Sequence, residues 1–132
     1  MREMIEYDYA IVRVVPRAHR AEFLNVGVIV HARRALRLVM RTEIDEDRLR
    51  VFDPDMNIPL LRSTLAAWER VACGGAAAGP IGLLTPSERF HWFTAPRSAA
   101  LQTSPVHPGR CDDLESTIEE LMAEQVGGKK SP

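Results

Sequence analysis

Hydrophobic and polar positions alternate along "YDYAIVRVV" at 7–15, with Tyr7, Tyr9 and Ile11 on one side and Ala10, Val12 and Val14 on the other. That period of two predicts a β-strand, and Pro16 ends it by removing a ladder donor. After the polar link "PRAHRAE", residues 23–31 form a second β-branched run, and "ARRA" reads as a short turn. A third strand follows over 35–41, where Leu36, Leu38 and Met40 alternate with Arg37, Val39 and Arg41. Short links between consecutive strands predict an antiparallel meander. Pairing Val15 with Phe23 sets Arg13 opposite Asn25 and Ile11 opposite Gly27. Pairing His31 with Ala35 sets Asn25 opposite Arg41 and Gly27 opposite Val39. In that register Leu24, Val26, Val28 and Val30 make one apolar face that continues into Leu36, Leu38 and Met40.

The period then lengthens. "TEIDEDRLRVFD" places acids before arginines, the order that suits a short helix dipole. Beyond Asn57, the residues Ile58, Leu61, Leu65, Trp68 and Val71 recur at helical spacing until "CGG" closes the segment near 73. "TPSE" at 85–88 combines a capping threonine, a proline for the first turn and a glutamate for a capping box, and opens a short aromatic helix. A polar segment with an edge strand near 99–104 leads to a last helix over 113–126, where Leu114, Ile118, Leu121 and Met122 line one face. The fold class is therefore α+β: an antiparallel sheet packed on its Leu24/Val26/Val28/Val30 face by the helices at 57–73 and 113–126. Residues 1–126 make one domain, and "GGKKSP" at 127–132 reads as a flexible tail.

Composition narrows the function classes. The chain has 132 residues and a formal net charge of -1, so no bulk charge draws it to nucleic acid or an anionic membrane. The opening "MREMIEYDYA" carries charges where a signal peptide would be apolar, and apolar runs are too short to span a bilayer. Its two cysteines, Cys73 and Cys111, make no disulfide framework. These features together predict a cytoplasmic protein with free thiols.

Motif chemistry is sparse. His107 and Cys111 lie four apart, but no Cys-x-x-Cys or His-Glu-x-x-His accompanies them, so neither a metal nor another cofactor is expected. No Gly-x-Ser-x-Gly elbow surrounds a serine, and "GGAAAGPIG" lacks the Gly-Lys-Ser/Thr of a phosphate loop. Two regions stand out instead. The predicted row Arg13–Asn25–Arg41, with Glu22 at the same end, flanks an amide with guanidiniums and suits an anion or a partner carboxylate. Gly27 on that face leaves room for close approach by a backbone, a ring or a ligand. The second region is the polar loop carrying Arg97, Ser98, Gln102, Ser104 and His107.

These two regions also carry a family resemblance. Tyr9, Arg13, Pro16, Glu22, Phe23, Asn25, Val26, Gly27 and Val28 resemble the Tyr…Arg…Pro…Glu-Phe-x-Asn-Val-Gly-Val pattern of a bacterial family, domain of unknown function thirty thirty-seven. Arg97, Ser98, Gln102, Ser104, His107 and Gly109 resemble its Arg-Ser…Gln-x-Ser…His-x-Gly region. The family has no assigned activity. The resemblance implies an accessory role beside a HipA-like kinase, with that kinase as protein partner. The resulting expectation is a non-enzymatic binding or regulatory module. Its alternative is a small enzyme or ligand-binding protein for an anionic or phosphorylated substrate, built on Arg13, Glu22, Asn25, Arg97, Ser98 and His107.

Overall fold

A computed structural model describes residues 3–16, 22–96 and 99–127. The N-terminal meander consists of β1 (Ile5–Val14), β2 (Leu24–Ala32) and β3 (Arg37–Thr42). Then come α1 (Glu46–Phe52), α2 (Ile58–Cys73), two short 3-10 turns, α3 (Pro86–Thr94), β4 (Leu101–Thr103), β5 (His107–Cys111) and α4 (Leu114–Gln125). All strand pairings are antiparallel, in the order β3-β2-β1, and β4 and β5 share the far edge of β1. The fold is α+β, as the sequence predicts.

Where the helices lie differs from that expectation. Ala10, Val12, Val14, Leu24, Val26 and Ile29 pack with α1, α2 and α3 on one face. Tyr7, Ile11, Val28, Val30 and Ala32 pack with α4 on the other. Val26 and Val28, placed together by strict alternation, thus belong to different layers. The cause is a β-bulge. Arg13 does pair with Asn25, but Val12 pairs with Gly27 and Ile11 with Val28, leaving Val26 as an extra residue on β2. One inserted residue reverses the inward side of everything beyond it. Both faces are apolar, so both are covered.

The β2–β3 register also departs from the predicted one. Ala32 pairs with Arg37 around a four-residue turn, 33–36, so Arg41 meets Val28 and Val39 meets Val30. Leu36 closes that turn with φ +52, a left-handed conformation that bulky side chains rarely adopt.

The helices follow their sequence signals. Asn57 accepts a hydrogen bond from the Leu60 amide to start α2, which buries Ile58, Leu61, Leu65, Trp68, Val71 and Ala72. Thr85 and Glu88 form the reciprocal capping box of α3. Trp68 and Phe93 meet with ring centroids 5.1 Å apart, linking α2 to α3. Buried Arg89 donates to the carbonyls of Leu84 at 3.1 Å and Val71 at 2.9 Å, and to that of Ala72 at 2.5 Å. Its cation thereby closes the negative end of the α2 dipole.

Candidate functional site

The bulge puts Arg13 and Asn25 side by side on the α4 face of the sheet. Gln102 of β4 pairs with Arg13 from the other side. The polar row is therefore Gln102–Arg13–Asn25, extended from Arg13 toward β4 and without Arg41, which pairs with Val28 and not with Asn25. Arg41 lies on the same face but farther along. With Arg37 it reaches Glu115 of α4, at 3.3 and 2.9 Å respectively. Hydrogen bonds from those two guanidiniums hold the Glu115 carboxyl below its ordinary range.

Asn25 also has a structural task. Its Nδ2 donates to the Gln125 carbonyl at 2.8 Å, and Arg48 of α1 donates to the Val126 carbonyl at 3.0 Å. Two side chains from different elements thus satisfy carbonyls that the end of α4 leaves open. A cleft of about 580 Å³ adjoins this junction, lined among others by Leu24, Asn25, Glu43, Arg48, Arg62 and Val126. Within it Glu46 pairs with Arg62 at 2.6 Å.

Two polar atoms in the row lack partners among the described residues. Arg13 Nε and Asn25 Oδ1 are buried, and neither makes a hydrogen bond among the described residues. Burial also lowers the Arg13 pKa from its ordinary value. The guanidinium carbon stands 3.9 Å from the centre of the Phe23 ring, and Phe23 itself is 43% exposed. Glu22, next to it, is exposed and has interactions of its own.

Other predicted site residues take up positions elsewhere. The space over Gly27 belongs to β3: a Cβ there would lie 2.5 Å from the Arg41 carbonyl oxygen. Ser104 is buried at the break between β4 and β5. Its amide donates to the Ile11 carbonyl at 2.8 Å and its Oγ accepts from the Ile11 amide at 2.8 Å, so the hydroxyl stands in for a strand carbonyl. His107 is exposed and stacks on Tyr9 at 5.3 Å, down β1 from Arg13. Gly109 pairs with Tyr7, whose ring fills the place a side chain would need. Arg97 and Ser98 lie outside the described residues. Phe23, Arg48 and Arg89 are not among the site residues that the sequence predicts. Phe23 was legible, since it flanks the strand two residues from Asn25; the long-range carbonyl contacts of Arg48 and Arg89 were not.

Among the described residues no helix is long and apolar enough to cross a membrane. No curated protein and no solved structure matches this chain. A family model does match, over residues 9–126, from Tyr9 on β1 to Val126, the cap that follows α4. The chain belongs to the DUF3037 family of proteins of unknown function.

Proposed function

We propose that the domain is a non-enzymatic binding module with a regulatory role, engaging a protein partner at the Arg13–Asn25 end of the sheet. The observation carrying this reading is the pair of buried, unpaired polar atoms, Arg13 Nε and Asn25 Oδ1. Leaving a buried donor or acceptor unsatisfied costs about 1–3 kcal/mol each, a cost that a partner supplying the missing hydrogen bonds would offset. Exposed Phe23 beside them offers the aromatic anchor that interfaces favour. A HipA-like kinase is the first partner to test.

The alternative, an enzyme for an anionic substrate, needs His107 near Arg13 and Asn25. His107 pairs instead with Tyr9, four residues from Arg13 along β1 and therefore roughly 14 Å away. That distance favours binding over catalysis.

The test is co-purification of the tagged full chain from its native host, in parallel with Phe23→Ala and Arg13→Met, followed by titration with the recovered partner. The expected result is a protein retained by wild type and bound about tenfold or more weakly by each variant. Equal recovery of the same proteins by all three chains sinks the reading, as does recovery of none.

A further inference from the structure

We infer that the ligand group accepted at the Arg13–Asn25 end is the backbone of an extended peptide segment and not a phosphate or carboxylate. This rests on the binding reading above and specifies its chemistry. Arg13 Nε is a donor and Asn25 Oδ1 is an acceptor, and both are buried on adjacent strands of one face without partners among the described residues. The orientation of the asparagine amide is fixed, because its Nδ2 is committed to the Gln125 carbonyl at 2.8 Å. Its oxygen therefore cannot exchange places with its nitrogen without giving up that bond. A carboxylate or a phosphomonoester dianion offers acceptors alone. It would satisfy Arg13 and set its own lone pairs against the asparagine oxygen.

One residue of an extended chain presents both groups the site lacks. Its N–H and C=O point to the same side, as in each hydrogen-bonded pair of an antiparallel ladder. The N–H would donate to Asn25 Oδ1 and the C=O would accept from Arg13 Nε. The cleft of about 580 Å³ leads up to Asn25. At Arg13, Phe23 stands 3.9 Å over the guanidinium and is 43% exposed, so the ring is positioned to be displaced by an incoming chain. Gln102, next in the row, spends its Nε2 on the Ala99 carbonyl at 3.0 Å and borders the site without competing for it.

The experiment is a ¹H–¹⁵N NMR titration of the full chain with two probes, acetyl-tetra-alanine-amide and methyl phosphate held as its dianion. The signals to follow are the Arg13 Nε–H and the Asn25 side-chain amide. The peptide is expected to shift both saturably, and phosphate to leave both in place. In Arg13→Lys, which keeps the charge and loses the Nε–H, peptide affinity falls at least tenfold while phosphate still has no effect. Shifts with phosphate and none with peptide overturn the inference in favour of an anion site, and leave the partner-binding reading to its own test. No shift with either probe overturns it too, and assigns the two atoms to internal water. Because the wild-type titration decides among these outcomes, poor folding of Arg13→Lys would not shield the inference.

Discussion

At the scale of single residues, a polar side chain that looks functional in sequence is often holding its own backbone. Ser104 shows this most clearly. β4 and β5 divide one edge of β1 between them, and at the break Ile11 would have a buried amide with no carbonyl to meet. The serine hydroxyl supplies the missing acceptor at 2.8 Å. Ser104→Ala should then cost about 1–3 kcal/mol, the penalty for an unsatisfied buried donor, measured as a lower urea midpoint at unchanged m. Fast exchange of the Ile11 amide should accompany the loss. A variant as stable as wild type, with Ile11 still protected, would return Ser104 to the list of ligand-binding candidates. Nothing in "LQTSPVHPG" reveals this role, because the amide it satisfies lies 93 residues away. Gly27 is a similar case. Its requirement for empty space was legible, but the occupant, the Arg41 carbonyl, depends on a register that no local pattern specifies.

At the scale of elements, the sequence conveyed the helices and strands well and their mutual alignment poorly. Capping boxes and apolar stripes are local, so α2 and α3 begin where their caps predict. A bulge is a local insertion with distant consequences: Val26 and Val28 differ by two in sequence and end in opposite layers. The β2–β3 hairpin shows the same limit. Four residues, Arg33 to Leu36, close it where a shorter turn was expected, and the added length moves Arg41 out of the polar row. The turn also carries strain. Leu36 is 74% exposed and holds φ +52 with most of its side chain in water. A non-glycine residue in that region costs roughly 1–2 kcal/mol, of which glycine's greater chain entropy returns part. Leu36→Gly should therefore stabilise the domain by about 0.5–1 kcal/mol, seen as a higher melting temperature without change in the sheet's amide-exchange pattern. A destabilised Leu36→Gly would mean that the exposed leucine has a contact worth more than its strain.

At the scale of the whole molecule, stability should respond to pH in two separate windows. His31 is buried on the helix-rich face, with Phe90 of α3 stacked on it at 5.3 Å. Burial lowers its pKa from the ordinary 6.5; Arg33 and His91 push it the same way, and Asp8, its partner on β1, opposes them. The native protein thus resists a proton that the unfolded chain accepts. Above pH 6.5 both states are neutral there and the full stability is present. As pH falls below 6.5 the unfolded state binds the proton first, so stability declines, by up to about 1.4 kcal/mol per pH unit, until the native histidine also titrates. The second window lies lower. Glu46, Glu88 and Glu115 are held below 4.5, chiefly by Arg62, the Thr85 amide and Arg37 respectively, so the stability they lend is present above 4.5 and lost as acid protonates them. Urea midpoints at constant ionic strength from pH 8 to 5 isolate the histidine window. Wild type should lose stability below pH 6.5, and His31→Phe, whatever its absolute stability, should show a flatter profile over the same range. Parallel profiles for the two proteins would mean that His31 takes up its proton as readily folded as unfolded, and that the helices over this face of the sheet leave it open to water.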